Sequence, residues 1–221
     1  MNEPQARESI CRVGRSLFDR GYVHATAGNV SVRLDDGGYV MTPTDACLGF
    51  LDPARLARLD AEGRPMSGDR PSKTLALHLS IYGAARRFDP DTACVIHTHS
   101  RHCVALSLAS AADELLPAIT PYFVMKVGHV PLVAYHRPGD PAVAHAVAAA
   151  IERYGSAGAP LRAVMLSRLG PNVWHDTPDA AMAVLEELEE TARLVCMARN
   201  DVRPLTEAQI DALRTTFGAR W

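Results

Sequence analysis

Two histidines follow the most strand-like apolar segment of the chain. Residues 92–96 read Thr-Ala-Cys-Val-Ile, which is typical of a buried strand, and His97 and His99 come next with Thr98 between them. Side chains at positions i and i+2 of a strand share a face, so the two imidazoles are predicted to lie side by side. Paired imidazoles can bind a transition metal at a strand end. The alternative is a pair of surface or capping histidines.

A second group of polar residues precedes a predicted helix. Ser72 and Lys73 follow Arg70 and Pro71, and apolar residues then recur at helical spacing to about residue 87. Ser72 is predicted to be the N-cap of this helix. Free backbone N–H groups at a helix start attract anions, and Ser72 and Lys73 add a hydroxyl group and a positive charge. The segment is therefore predicted to bind an anion, unless it is a plain N-cap with a solvated lysine.

Two further pairs carry weaker signals. Gly28 and Asn29 form a small turn that lets the backbone approach a ligand closely, although a simple β-turn explains the same residues. Tyr122 and Lys126 lie four residues apart and are candidates to line a pocket. The alternative for this second pair is a packed ring and a solvated ammonium group.

Alternating helices and strands must position these residues, which indicates an α/β fold. The 221 residues contain no internal repeat or linker, so one domain covering 1–221 is predicted. Helices are predicted at 5–20, 72–87, 101–110, 141–154, 178–199 and 206–216. Strands are predicted at 30–34, 39–42, 92–96, 130–134 and 163–166, with a turn at 35–38 and a further turn at 62–65 between short strands.

Composition narrows the class of partner. A net charge of −2 gives no broad basic field for nucleic acid or an anionic membrane, which leaves a small molecule as the expected partner. The five cysteines are scattered and odd in number, which argues against a disulfide framework or a structural zinc cluster. An apolar leader and a run of about 20 apolar residues are both lacking, so a soluble cytoplasmic protein is expected.

Taken in order, these motifs resemble the class II aldolase/adducin family over nearly the whole chain, especially its 3-oxo-tetronate 4-phosphate decarboxylase subgroup. The resemblance implies a three-layer α/β fold with a central, mostly antiparallel sheet flanked by helices, assembled as a homotetramer. The segments that carry the resemblance are 26–31 (Thr-Ala-Gly-Asn-Val-Ser), 41–44 (Met-Thr-Pro-Thr), 67–73 (Ser-Gly-Asp-Arg-Pro-Ser-Lys), 97–100 (His-Thr-His-Ser) and 120–125 (Thr-Pro-Tyr-Phe-Val-Met).

The same resemblance implies a divalent metal, most often zinc, bound by three histidines that include His97 and His99. The metal stabilises an enediolate formed by aldol cleavage or decarboxylation. The candidate substrate-binding residues are Asn29, Thr44, Asp45, Ser72 and Lys73. The candidate catalytic residues are Lys73, Thr74, Tyr122 and His102.

Three positions depart from the family pattern. Thr74 stands where a glutamate is expected, and a threonine hydroxyl is no carboxylate base. Leu169 stands where the third histidine is expected, and Asp45 replaces a glycine beside the substrate phosphate. The remaining histidines that are candidates for a replacement ligand are His24, His102, His129, His136 and His175.

The resemblance predicts a carbon–carbon lyase of carbohydrate metabolism, an aldolase or decarboxylase acting on a small hydroxylated carbonyl acid, phosphorylated or not. Thr74 and Leu169 leave two alternatives open. One is a repurposed, metal-independent biosynthetic enzyme, and the other is a non-catalytic binding protein with an aldolase-like fold.

Overall fold

The computed structural model describes residues 1–110, 112–199 and 201–221. Within these ranges the chain forms six α-helices and eight strands. The helices are α1 (Glu3–Asp19), α2 (Leu75–Ala85), α3 (Arg101–Ala109), α4 (Pro141–Ser156), α5 (Pro178–Met197) and α6 (Glu207–Phe217). The strands are β1 (Asn29–Arg33), β2 (Tyr39–Met41), β3 (Ala57–Leu59), β4 (Pro65–Ser67), β5 (Cys94–His97), β6 (Leu132–Val133), β7 (Ala163–Leu166) and β8 (Gly170–His175).

The strands form a single sheet in the order β4-β3-β2-β1-β5-β8-β7-β6. Neighbouring strands are antiparallel except β6 and β7, which are parallel. β1 and β2 join through the predicted tight turn, where the Leu34 N–H donates to the Gly38 carbonyl and the Asp36 carboxylate accepts from the Gly38 N–H at 2.9 Å. The mostly antiparallel sheet with flanking helices, expected from the resemblance, is confirmed.

Helices cover both faces of the sheet. α1, α3 and α5 pack on one face, where Val30 and Ile96 point into the larger apolar core. α2 and α4 pack on the other face against Val95 and Trp174. Because side chains alternate along a strand, His97 lies on the same face as Val95, toward α2 and α4. The second face therefore carries the predicted site.

A carboxylate from α5 fixes the start of α3. Glu189 is 4% exposed and accepts hydrogen bonds from the His102 N–H (3.0 Å), the His102 Nδ1 (2.8 Å) and the Cys103 N–H (3.1 Å). The first N–H groups of a helix have no partner within it, and a negative charge there is favourable. Glu189 supplies that partner, so the loop that precedes α3 is attached to α5.

The predicted N-cap role of Ser72 is wrong. The Ser72 N–H donates to the Thr42 carbonyl at 3.1 Å, so residue 72 still belongs to an extended segment beside β2. The helix begins only at Leu75, with Thr74 as its N-cap and no side-chain cap hydrogen bond. The sequence pattern placed the helix start too early because it contained no information about this pairing.

The other boundaries differ by a few residues, and one strand was not predicted. The strand predicted at 130–134 is only Leu132–Val133, and the helix predicted to end near 199 ends at Met197. β8 was missed because Pro171 and Asn172 interrupt its apolar pattern. Gly170 at its start is required by close contact, since a Cβ there would lie 1.9 Å from the Thr98 carbonyl oxygen. Within the described ranges, no helix has both the length and the apolar character needed to cross a membrane.

Candidate active site

Three neighbouring strands carry a row of polar residues on the face covered by α2 and α4. Asn29 of β1 pairs with His97 of β5, and His97 pairs on its other side with Asn172 of β8. Residues directly opposite each other in antiparallel strands share a face, so the three side chains are neighbours. All three are buried. Both amide atoms of Asn172 lack a partner among the described residues, which leaves hydrogen-bonding capacity next to His97.

His97 and His99 lie together, although β5 ends at His97. Their ring centroids are 5.2 Å apart. The Nδ1 atom of His97 is 3.0 Å from the Pro171 carbonyl oxygen, which can only accept a hydrogen bond. Nδ1 therefore carries the proton of the neutral ring, and Nε2 has a free lone pair. His97 is thus a proton acceptor or a metal ligand at Nε2.

Burial keeps both rings neutral. The pKa of His97 falls to about 4, first because burial disfavours the charged ring and then because His99 is close. The pKa of His99 is also lowered, by burial and then by the neighbouring His24 ring. Neither ring therefore presents a positive charge to a ligand at neutral pH.

A cavity of about 580 Å³ contains most of the predicted site residues. Its size suits a small molecule, and its lining mixes apolar walls with a few polar groups. The lining consists of residues 24–29, 43–45, 72–74 and 136–141, both histidines of the 97–99 segment, Ala76, Leu77, Val143, Ala144, Leu166 and Leu169. The structure thus brings eight of the candidate residues together in one cavity: Asn29, Thr44, Asp45, Ser72, Lys73, Thr74, His97 and His99.

One set of lining residues, which we call the anion group, consists of Asn29, Thr44, Ser72 and Lys73. The Ser72 and Thr74 hydroxyls lie 3.1 Å apart, just before α2. The Lys73 Nζ atom is 3.8 Å from an oxygen of Asp45, and both side chains are exposed. An exposed pair of this kind contributes only about 0–1 kcal/mol, so another anion can compete for the ammonium group.

A second set, the histidine group, consists of His97, His99 and Leu169. Leu169 precedes Gly170, whose backbone lies against Thr98 and His99. The apolar Leu169 side chain lines the same cavity as the two imidazoles and also packs against the core under α2 and α4. This group combines neutral nitrogen atoms with an apolar wall.

The histidine group does not fit a metal centre with three protein ligands. His97 has a free Nε2 and an oriented Nδ1, as a ligand requires. Leu169 supplies only carbon at the expected third position, and His24, whose ring centroid is 6.1 Å from that of His99, does not form a group of three ligands with the two histidines. Among residues 1–110, 112–199 and 201–221, no three His, Cys, Asp or Glu side chains are close enough to hold a metal ion. Zinc therefore stays a prediction from the resemblance.

Two predicted catalytic residues lie outside the cavity. The His102 imidazole bonds to Glu189 on the opposite face of the sheet. Tyr122 is 61% exposed and lines a separate groove together with Lys126 and residues of α5. Neither side chain lines the cavity of its own chain, so their catalytic roles stay predictions.

Sequence reasoning missed two residues of the site. His78 of α2 is fully buried and reaches Asn29, with its Nε2 atom 2.6 Å from the Asn29 Oδ1 atom. Its flanking leucines made it look like one turn of an apolar helix. Asn172 was missed together with β8. An unusual polar residue inside an apolar segment was the only available signal in both cases.

A match over most of the chain decides the family. The model of the class II aldolase and adducin N-terminal domain matches residues 8–196. The chain belongs to this family. Its class II aldolase relatives include a 3-oxo-tetronate 4-phosphate decarboxylase of Cupriavidus necator, 50% identical over 99% of both chains. Another protein of that name, from Escherichia coli K12, is 40% identical over 96% of this chain and 97% of its own.

Solved class II aldolase structures agree with the fold. The crystal structure of YgbL from Klebsiella pneumoniae superposes with a TM-score of 0.86 at 40% identity, covering 97% of this chain and 100% of that one. An L-fuculose-1-phosphate aldolase from Thermus thermophilus gives a TM-score of 0.73 at 24% identity, covering 91% of this chain and 100% of that one. The second likeness supports the fold alone.

Proposed function

We propose that this chain is a carbon–carbon lyase of the decarboxylase kind, acting on a small phosphorylated 3-oxo sugar acid. The supporting observation is a single cavity that joins the anion group to the histidine group, in a chain that is 50% identical to a 3-oxo-tetronate 4-phosphate decarboxylase over 99% of its length. The metal, the tetramer and the exact acid are predictions from the resemblance.

The anion group is proposed to bind the phosphate. Hydroxyl groups of Thr44 and Ser72 and the amide of Asn29 are hydrogen-bond donors, and Lys73 supplies a positive charge. The ammonium group leaves its weak, exposed contact with Asp45 when a dianion enters, because the phosphate offers more charge at shorter distance. This places the carbon chain of the ligand toward the histidine group.

The reaction breaks the bond between C1 and C2 of the acid. C1 leaves as CO2, and its electron pair forms a C2–C3 double bond while the C3 oxygen becomes an enolate. A proton taken up from solvent then adds to C2, which gives a three-carbon hydroxyketone phosphate. A 3-oxo acid is suited to this reaction because its own carbonyl receives the electrons. The Lys73 ammonium and the Thr74 hydroxyl are the proposed donors to the C3 oxygen.

The histidine group has two proposed tasks. The free Nε2 atom of His97 accepts a hydrogen bond from the C2 hydroxyl, which orients the C1–C2 bond. Leu166 and Leu169 place an apolar wall beside the carboxylate. Water exclusion there destabilises the charged carboxylate relative to CO2 and the dispersed charge of the enolate. No step in this scheme passes through a metal.

A specific observation also favours a non-catalytic binding protein. Thr74 and Leu169 occupy the cavity where the family pattern has a carboxylate and a third imidazole. In this second candidate the anion group still binds a phosphorylated ligand, but nothing is cleaved.

The deciding experiment offers the purified chain 3-oxo-tetronate 4-phosphate and measures CO2 and the hydroxyketone phosphate. One arm contains a chelator, and others contain added zinc or manganese. Turnover that falls at least 10-fold in a Ser72→Ala variant is expected. Binding without turnover in every arm would select the second candidate, and neither binding nor turnover would exclude both.

A further inference from the structure

A chain of four polar side chains leads from the cavity into the layer under α2. The His78 Nε2 atom is 2.6 Å from the Asn29 Oδ1, and its Nδ1 atom is 2.7 Å from the Ser31 Oγ. The Ser31 Oγ is 2.9 Å from the Tyr82 hydroxyl, whose single hydrogen is shared between that oxygen and the Ser31 carbonyl oxygen, also at 2.9 Å. His78 and Ser31 are at most 1% exposed. Of these four side chains, only that of Asn29, at one end of the hydrogen-bonded series, lines the cavity.

The direction of these hydrogen bonds follows from the orientation of the Asn29 amide, whose oxygen faces His78 in the structure. An amide oxygen can only accept, so the Nε2 atom of His78 must carry a hydrogen to bond Asn29 Oδ1. A buried neutral imidazole carries one hydrogen, so Nδ1 accepts from the Ser31 hydroxyl. The free NH2 of the Asn29 amide is then turned away from His78, toward the cavity. The backbone of Asn29 is already held by the pairing of β1 with β5.

We propose that His78 is a positioning residue, which holds the Asn29 amide with its NH2 facing the cavity as a donor to an anionic oxygen of the ligand. The proposal rests on the proposed function, because the phosphate supplies that oxygen. His78 touches no ligand and acts only through Asn29. With the opposite direction of hydrogen bonds, the Asn29 oxygen would face the cavity and repel an anion.

A matched pair of variants separates positioning from general stability. In His78→Gln the side-chain NH2 takes the place of the Nε2–H, so the contact with Asn29 is retained. In His78→Asn the shorter side chain reaches only the Ser31 side. Both variants remove the imidazole from the same buried position, so both are expected to lose stability. Only His78→Asn frees the Asn29 amide.

The first readout is calorimetric titration with inorganic phosphate and with glycerol 3-phosphate. We expect His78→Asn to weaken binding about 10-fold, and His78→Gln to stay within about 3-fold of the unmodified chain. Equal losses in both folded variants would overturn the positioning role. Absence of phosphate binding in the unmodified chain would refute the proposed function and the anion-donor role together, leaving the orientation of the amide to the second readout.

The second readout is the tautomer of His78, measured by nitrogen-15 NMR of the ring without ligand. A hydrogen on Nε2 and a bare Nδ1 in the unmodified chain support the proposed direction, and the Nδ1 resonance should shift in Ser31→Ala because Nδ1 loses its donor. A hydrogen on Nδ1 in the unmodified chain would overturn it, whatever the phosphate titration gives.

Discussion

The anion group and the histidine group share one cavity, but the first has the donors that an anion needs and the second, in the part of the chain that the structure describes, lacks a ligand that a metal needs. Asn29 has a buried hydrogen-bond chain behind it, and Ser72 and Lys73 add donors and charge beside it. The histidine group has two neutral rings and a leucine, with no third metal ligand among the described residues. Binding of an anion therefore needs only groups that are already present, whereas metal chemistry needs another ligand. The two functions of such a site can be separated by mutation.

The largest expected effect comes from completing the histidine group. Leu169→His adds a third imidazole next to His97 and His99 and should tighten zinc binding by on the order of 100-fold. Calorimetry and metal analysis after dialysis measure this gain.

Leu169→Gln is the matched control, because it adds polarity without an imidazole, and His97→Ala combined with Leu169→His should abolish the gain. If Leu169→His and Leu169→Gln bind zinc equally, the histidine group is not a metal site that lacks one ligand.

The next largest effect concerns His78, the buried residue that bonds Asn29 of the anion group. Burial, and then the nearby His97, lower the pKa of His78 to about 3 in the folded chain from 6.5. Below pH 6.5 the unfolded chain binds a proton that the folded chain does not. The free energy of unfolding therefore decreases as the pH is lowered below 6.5, by up to about 1.4 kcal/mol per pH unit for this group.

His78→Gln removes that proton-binding group, so urea unfolding should show its stability deficit narrowing as the pH is lowered from 7 to 5. A deficit that stays constant would mean that the His78 ring does not remain neutral in the folded chain. Because both proteins contain the other histidines, comparing the two cancels the contribution of those residues to the pH dependence of stability.

A moderate effect is expected within the anion group itself. Ser72→Ala should weaken binding of glycerol 3-phosphate by about 10-fold, because one hydrogen bond to a charged group is lost. Ser80→Ala, within α2, is the control, since the Ser80 hydroxyl bonds the Ala144 carbonyl instead of lining the cavity. Similar losses in both variants would show that the effect is not local.

The smallest effect concerns Asp45. Asp45→Asn removes a negative charge beside Lys73 and should tighten phosphate binding by about 2- to 5-fold, less so in high salt. Asp69→Asn, which breaks an exposed pair with Arg55, controls for the change in net charge. Equal effects of the two substitutions would show that the charge at position 45 has no special role.

The residues of the cavity were more predictable than their contacts. The proximity of His97 and His99 follows from strand geometry and held even though the strand ends at His97. The role of His78 did not emerge, because its partners Asn29 and Ser31 are 49 and 47 residues away and no local pattern links them. Ser72 failed as an N-cap for the same reason, since its N–H bonds Thr42.

Most helices and central strands were predicted to within a few residues, because their apolar spacing is regular. β8 was not, because a proline and an asparagine stand where a buried strand is expected to be apolar. Tyr122 was chosen from its spacing with Lys126 and His102 from its position near His99, and the fold of a single chain places both outside the cavity. Residue type and spacing locate a site, but long-range pairing decides which side chains enter it.

The three hydrogen bonds that Glu189 accepts have a consequence for ligand binding. They attach the start of α3 to α5 before any ligand arrives, and the loop through His99 is anchored between that point and β5. Little conformational entropy is then left to lose when a ligand contacts His99, so this wall of the cavity is preorganised. A Glu189→Gln variant should bind with a larger entropic penalty, as the loop would have to be ordered by the ligand.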